Sequence, residues 1–282
     1  MLDVIVVADG ERIALGALIA LLINRKSFPE ARLHLAVPED APLVQAIEPR
    51  ILEALQPTLF PLPAPALWVE GQPYRILNKV QALASFGPRP ALLCDSDIFF
   101  LRGVPLPYLA GRTVPAAVPE HGRHDFPWQR LYAMVGGALP AFQVLCGSGE
   151  VSLPWLNAGL VYAPNASQLG AVWLDLCQRV EPLEWVPERF PYLDQITLPL
   201  AIAALSPHCT IGPASVLDGR LNQNLFHWMP DQSYVSQGFG VHHHHRTSLI
   251  RRYCADLITW VQADEPLLEE LLTLYSRYDD IA

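Results

Sequence analysis

The stretch Tyr74–Leu101 reads YRILNKVQALASFGPRPALLCDSDIFFL. Its first half spaces Ile76, Leu77, Val80, Leu83 and Ala84 at helical intervals, so Tyr74 to Phe86 is expected to form an amphipathic helix. Gly87-Pro88 and Pro90 then punctuate the chain. Ala91 to Cys94 is a short apolar run of the kind that forms a buried strand. It leads straight into Asp95-Ser96-Asp97, and the apolar Ile98-Phe99-Phe100-Leu101 follows. The triplet by itself carries little weight. With 14 aspartates in 282 residues, composition alone gives about 0.7 such D-x-D triplets.

Its setting carries more. Open α/β sheets place their ligand crevice at the carboxyl ends of strands. Two carboxylates flanked by apolar runs are costly to desolvate unless they are paired or hold a metal. Oxygen ligands suit Mg²⁺ or Mn²⁺, and such ions bridge substrate phosphates. The competing reading is a polar turn between two strands.

Outward from this stretch, strands and helices alternate. Leu2 to Ala8 is rich in β-branched residues and stops at Asp9-Gly10. About Glu11 to Asn24 is expected to be helical, Arg32 to Val37 a strand, and Ala41 to Leu55 a helix interrupted at Pro49. Thr58 to Leu62 reads as a strand, and residues 61–73, with four prolines, as a loop. Further strands are expected at Val114 to Val118, Leu156 to Ala163 and Tyr234 to Val241, the last ending in His242. Ala166 to Val180 and Tyr192 to Leu205 read as helices, 119–130 as a polar and aromatic loop, and Arg246 to Tyr278 as a helical tail. Alternation of this kind implies βαβ units. The expected architecture is α/β: one domain over residues 1–245, a mixed, mostly parallel sheet flanked by helices, and a helical C-terminal extension over 246–282.

The segment Tyr74–Leu101 resembles the core of nucleotide-sugar glycosyltransferases of the GT-A fold, in which a helix carrying a basic residue precedes a strand ending in D-x-D. Three later segments keep the order of the glycogenin and lipopolysaccharide-galactosyltransferase type. Leu156-Asn157-Ala158-Gly159-Leu160-Val161 resembles its F-N-A-G-V strand, Leu193-Asp194-Gln195 its D-Q helix start, and Leu221-Asn222-Gln223-Asn224 its W-N-x-x element. Val241-His242 stands where that group has a metal-binding histidine after a strand. The H-x-x-G-x-x-K-P-W signature is absent; the run here is HHHHRTSLIRR.

The resemblance implies a hexosyltransferase that takes a nucleotide-sugar, UDP-hexose above all, to a sugar or glycan acceptor, with retention of anomeric configuration. It implies Mn²⁺ or Mg²⁺ on Asp95 and Asp97, with a histidine completing the set; imidazole favours Mn²⁺ over Mg²⁺. If the last strand continues, His242 and His244 share one face, His242 being the first choice and His244 the second. Asp95 also becomes a ribose contact. Lys79, opposite the apolar stripe of its helix, either faces the donor or is a solvated lysine. Asp194 is either an N-cap or, with Gln195, the catalytic pair beside the anomeric carbon, where a carboxylate stabilises an oxocarbenium-like transition state. Asn157, Ala158 and Gly159 are assigned to the donor or acceptor, against a strand-edge turn, and Asp9 is a further candidate nucleotide contact. Arg246, Arg251 and Arg252 are the cations near the histidines that could stand in for the missing lysine. Trp128, Trp155 and Trp228 are either acceptor stacking surfaces or core.

Composition bounds these readings. Hydrophobic residues make up 51% and charged residues 17%, against about 25% charged on average, which excludes intrinsic disorder. Nineteen Lys and Arg against 28 Asp and Glu give a net charge of −9, which argues against a nucleic-acid binder. Five scattered cysteines without a C-x-x-C pair read as reduced thiols, and the start lacks a signal-peptide pattern, so a cytoplasmic protein is expected. The longest apolar run, Ile13 to Ile23, falls short of the roughly 20 residues a membrane span needs. Two other functions compete: a non-catalytic nucleotide-sugar or glycan-binding protein of the same fold, and a phosphatase of the haloacid dehalogenase type. The second fits poorly, because Ile98-Phe99-Phe100 follows the triplet rather than a small pair.

Overall fold

A computed structural model describes residues 2–40, 49–103, 109, 112–120, 126–146, 151–225, 238–262 and 267–281. In chain order the first elements are β1 (Asp3–Val7), α1 (Gly10–Ser27), β2 (Arg32–Pro38), α2 (Pro49–Leu55) and β3 (Thr58–Leu62). Then come β4 (Trp68–Val69), β5 (Gln72–Pro73), α3 (Asn78–Phe86), β6 (Ala91–Cys94), β7 (Ile98–Phe100) and β8 (Ala116–Pro119). The middle of the chain forms α4 (Trp128–Ala133), β9 (Val144–Leu145), β10 (Val151–Ser152), β11 (Leu156–Ala163), α5 (Ala166–Val180) and α6 (Arg189–Ala204). The last elements are β12 (Gln223–Asn224), β13 (Gly240–His242), α7 (Thr247–Tyr253), α8 (Ala255–Gln262) and α9 (Leu267–Tyr275). The class is α/β, with mixed, mainly parallel strands flanked by helices, as expected from the alternation.

The chain divides into two compact units. Unit one comprises residues 1–64, 94–108 and 220–282; unit two comprises 65–93 and 109–219. In unit one, β2 lies between β1 and β3, and both ladders are parallel. Parallel strands covered on both faces read as unbroken apolar runs, and β1 has that character, with Val4, Ile5 and Val6 inaccessible to solvent. Helix α1 is buried nearly all round from Gly16 to Asn24. The run Ile13 to Ile23 is therefore an interior helix, and no helix among the described residues is long and apolar enough to cross a membrane. A second small sheet of unit one has the order β12-β13-β7; β13 is antiparallel to β7 and parallel to β12. The C-terminal helix α9 packs on α1 within this unit.

Unit two holds β11 beside antiparallel β8, with a break in register between Leu156 and Val161. Helices α3, α5 and α6 form its helical layer, α5 packing against both others. The first two approach so closely that a Cβ at Gly170 would lie 2.1 Å from the backbone nitrogen of Ala84.

Several boundaries differ from expectation. The helix expected from Tyr74 begins at Asn78, because Arg75–Leu77 forms a 3₁₀ turn. Helix α6 is assigned from Arg189, and Phe190 and Tyr192 have non-helical backbone on either side of Pro191, whose ring disfavours helical backbone in the residue before it. The tail expected as one helix is three, α7 ending at Tyr253. The strand expected from Tyr234 is only Gly240–His242 within the described residues, 234–237 lying outside them. Ala41 to Leu55 is represented by Pro49–Leu55, and 121–125 of the polar loop fall outside the description. All five cysteines are free thiols.

Candidate functional site

Two polar clusters stand out, one within each unit. In unit one the chain leaves β6 at Cys94 and turns through Asp95-Ser96-Asp97 into β7, with Ile98 N–H donating to Asp95 O at 3.1 Å. The antiparallel pairing of β13 with β7 sets His242 opposite Ile98. His243 N–H then donates to Asp97 O at 3.0 Å, which carries the histidine run across the acidic turn. As a result His242 Nε2 lies 3.0 Å and His245 Nε2 3.3 Å from Asp97 Oδ2. The rings of His242 and His244 stack with centroids 4.1 Å apart.

Strand alternation is the reason the sequence offers for pairing His242 with His244, and that reason fails. The strand ends at His242, and His244 and His245 take left-handed backbone, φ 50° and 58°. The tight turn, rather than a pleat, brings the two rings together. His243 goes the other way. It is fully buried against Phe99, ring centroids 4.2 Å apart, and burial holds its imidazole well below the usual range, hence neutral.

Asp97 is only 6% exposed. Burial opposes its ionisation, but His242 and His245 outweigh it, and the carboxyl is held well below the usual range. One ligand atom from each of Asp97, His242 and His244 falls within 4.8 Å of the others. A carboxylate oxygen and two imidazole nitrogens that close are a donor set that fits a divalent ion of the Mn²⁺ type. Asp95 is half-buried and outside that group of three. Asp9, at the N-cap position of α1, is half-buried and makes no side-chain capping bond.

Sequence reasoning passes over three residues here. His245 touches Asp97, Tyr275 of α9 touches His245 Nδ1, and Arg12 Nη2 donates to His245 O at 3.2 Å. Tyr275 lies in a tail whose pattern reads only as amphipathic. Arg251, by contrast, pairs with Glu269 on the surface at 2.8 Å, and Arg252 stacks on Tyr253.

The second cluster lies in unit two. Lys79 Nζ sits 3.0 Å from Asp194 Oδ2, their side chains 14% and 7% exposed. Lys79 is therefore no solvated lysine, and Asp194 is no N-cap: it lies inside α6, and its backbone carbonyl accepts from Trp173 Nε1 at 2.9 Å. Gln195, next to it, is half-buried. Asn157 is also committed. Its Nδ2 donates to Glu120 Oε2 at 2.8 Å and its Oδ1 accepts from Gly159 N–H at 2.7 Å. The latter bond falls where the β11–β8 register breaks, so the carboxamide satisfies an N–H in the irregular part of the ladder. Ala158 is buried behind it. Trp128 and Trp155 are 6% and 4% exposed and pack edge-on against each other beside Phe126, which makes them core; Trp228 lies outside the described residues.

The comparisons with known proteins accord with this fold. The Rhodobacterales glycosyltransferase domain matches residues 4–206. No curated protein matches the chain significantly. Among solved structures, the apo form of the glycosyltransferase GlyE of Streptococcus pneumoniae aligns at TM-score 0.52 with 13% identity, covering 91% of this chain and 62% of GlyE. The galactosyltransferase LgtC, solved with donor and acceptor sugar analogues, aligns at TM-score 0.47 with 15% identity over 86% of each chain. The bifunctional glycosyltransferase WbbM aligns at TM-score 0.48 with 13% identity, covering 96% of this chain and 51% of WbbM. The family match over residues 4–206 makes this a glycosyltransferase, and the fold is of the GT-A type. The chain belongs to the Rhodobacterales glycosyltransferase domain family. The phosphatase alternative is thereby set aside.

Proposed function

We propose that this glycosyltransferase moves a hexose from a nucleotide-sugar, UDP-hexose in the simplest case, to a sugar or glycan acceptor, and that it depends on Mn²⁺ or Mg²⁺. The observation that carries the reading is the approach of the Asp97 carboxylate to His242 and His244 within unit one. These three would hold the ion, with Asp95 as a further carboxylate ligand and a ribose contact. A divalent cation held there supplies Lewis-acid neutralisation of a diphosphate leaving group. Asp97 suits that task because a carboxylate oxygen is a hard donor for such an ion.

Asp194 and Gln195 are proposed as the catalytic pair. The ammonium of Lys79 offsets the buried charge of Asp194, which keeps a carboxylate available to face positive charge developing at an anomeric carbon. Lys79 itself is proposed to donate to the sugar or a phosphate oxygen while keeping its contact with Asp194, since an ammonium carries three donors. Asn157, Ala158, Gly159 and Asp9 are proposed donor contacts. For Asn157 this means the Glu120–Asn157 pair acting together, since its carboxamide is already bonded on both sides. Retention is the stereochemical outcome the family resemblance favours.

The test is release of UDP from a panel of UDP-hexoses with Mn²⁺, repeated with Asp97→Ala. Loss of at least about a hundredfold in turnover is expected, in line with removing a metal ligand's electrostatic contribution. Undiminished turnover in the variant would remove the metal assignment.

A further inference from the structure

Asp194 and Gln195 stand in a part of α6 that supports itself poorly. The backbone before them is non-helical at Phe190 and Tyr192, and four residues after Gln195 comes Pro199, which brings no N–H to the Gln195 carbonyl. Thr197 adds a further disturbance. Its Oγ1–H donates back to Leu193 O at 2.7 Å, a bond that bends helices rather than strengthening them. Helix propensity therefore does not account for the order of this turn. The support comes from α5. Trp173, inaccessible to solvent, donates its Nε1–H to Asp194 O at 2.9 Å and to Thr197 Oγ1 at 3.1 Å. Cys177, one turn further along α5, has its Sγ 3.0 Å from the same Thr197 oxygen.

The donors follow from covalent chemistry. An indole N–H only donates. The single hydrogen of the Thr197 hydroxyl is directed to Leu193 O at 2.7 Å, the shorter of its two carbonyl contacts, Asp194 O being 3.2 Å away. Its lone pairs are left for the indole and for the thiol hydrogen of Cys177. Each of these side-chain polar groups is used, the condition under which a buried network rigidifies. What the network holds is specific. Asp194 O belongs to the peptide unit that joins Asp194 to Gln195, and Leu193 O to the unit that joins Leu193 to Asp194. Both peptides flanking Asp194 are thus pinned, while its carboxylate meets Lys79 of α3 at 3.0 Å. We propose that Trp173 and Thr197 are positioning residues: they clamp the backbone from which the Asp194 and Gln195 side chains project, and so fix how that pair is presented to a donor sugar. Both are fully buried and act through the pair rather than on the sugar.

The catalytic consequence rests on the Asp194–Gln195 pair proposed above; the clamp does not. UDP release is measured with each UDP-hexose that the wild type turns over. Thr197→Val removes the hydroxyl at nearly constant shape. It is expected to lower kcat about tenfold or more with the donor KM within about twofold, the pattern of a bound substrate met by a misdirected catalytic group. Thr197→Ser keeps the hydroxyl and is expected to restore kcat to within about twofold. Trp173→Phe is expected to act like Thr197→Val. Hydrogen–deuterium exchange over residues 193–198, read by mass spectrometry, should quicken at least about tenfold in Thr197→Val and return to the wild-type rate in Thr197→Ser. Wild-type kcat in Thr197→Val overturns the proposal, as does a loss that Thr197→Ser fails to restore. If Trp173→Phe does not fold, the two Thr197 variants decide. Wild-type protein that turns over no UDP-hexose refutes that donor, and Asp194→Asn with wild-type kcat refutes the catalytic pair. In either case the exchange measurement judges the clamp, and rates unchanged in Thr197→Val overturn it.

Discussion

Lys79 and Asp194 meet within unit two as a nearly buried ion pair, and each would be costly to bury alone. Lys79→Ala is expected to destabilise the protein by about 3 kcal/mol in urea unfolding, the usual scale for stranding a buried charge. Adding Asp194→Asn to that variant should recover part of the loss, since no charge is then left unpaired. Asp3 offers a second residue-scale test. It is inaccessible to solvent, and Arg32 and His34 both approach its carboxylate at 2.7 Å. Burial opposes its charge, but the two partners prevail and lower its pKa. A carboxyl lowered on folding stabilises above its unfolded value, near 3.9, and that contribution fades as pH falls through the folded value. Asp3→Asn should therefore cost about 1–3 kcal/mol at pH 7, and the gap to wild type should narrow as the pH drops from about 4 downward. Chain position explains what is legible at this scale. The placement of Lys79 off the apolar stripe is readable from its helix, but Asp194 lies far along the chain, and no local pattern names a distant partner. The left-handed turn at His244 and His245 is unreadable for another reason: neither residue is a glycine that would announce it.

At the scale of elements, β3, β6, β11 and α5 match the sequence expectation residue for residue. Each is an apolar or amphipathic run with a strong breaker nearby, such as Pro90 before β6 or Pro164-Asn165 before α5. Asn165 is also the N-cap of α5, its Oδ1 accepting from Gln168 N–H at 3.1 Å. The elements misjudged are those whose ends depend on contacts rather than breakers. Helix α6 has apolar residues all round its later turns, so its period marks no face, and its irregular start at Phe190–Tyr192 carries no capping signal. The α3–α5 contact gives a direct test of packing. Gly170→Ala would press a methyl onto the backbone of α3. Ala84 N, Ala84 Cα and the carbonyl carbon of Leu83 would lie 2.1, 2.5 and 2.6 Å from the added carbon. Backbone cannot rotate aside, so the two helices must move apart. A loss of about 1–3 kcal/mol is expected, the usual cost of overpacking, read as a lowered Tm. An unchanged Tm would show that α3 and α5 shift freely.

For the whole molecule, the composition excludes disorder and argues against nucleic acid, and it leaves one tension: a chain of net charge −9 repels an anionic donor. The acidic turn offers a local resolution, because two of the 28 acidic residues, with the histidines across from them, form the proposed cation site, and a bound cation attracts phosphates. The order of motifs along the chain is enough to expect the GT-A class. The histidine segment is harder to read, since its departure from the family signature hides which imidazoles meet Asp97. That depends on the β13–β7 register, which only the folded chain displays. The central claim is that metal and nucleotide bind together at this turn. Calorimetric titration of UDP into the protein, with Mn²⁺ and then with excess chelator, tests it most directly. Binding with Mn²⁺ that weakens at least about tenfold under chelator, and equally in Asp97→Asn, is the expected result. Equal UDP affinity with and without metal would contradict it.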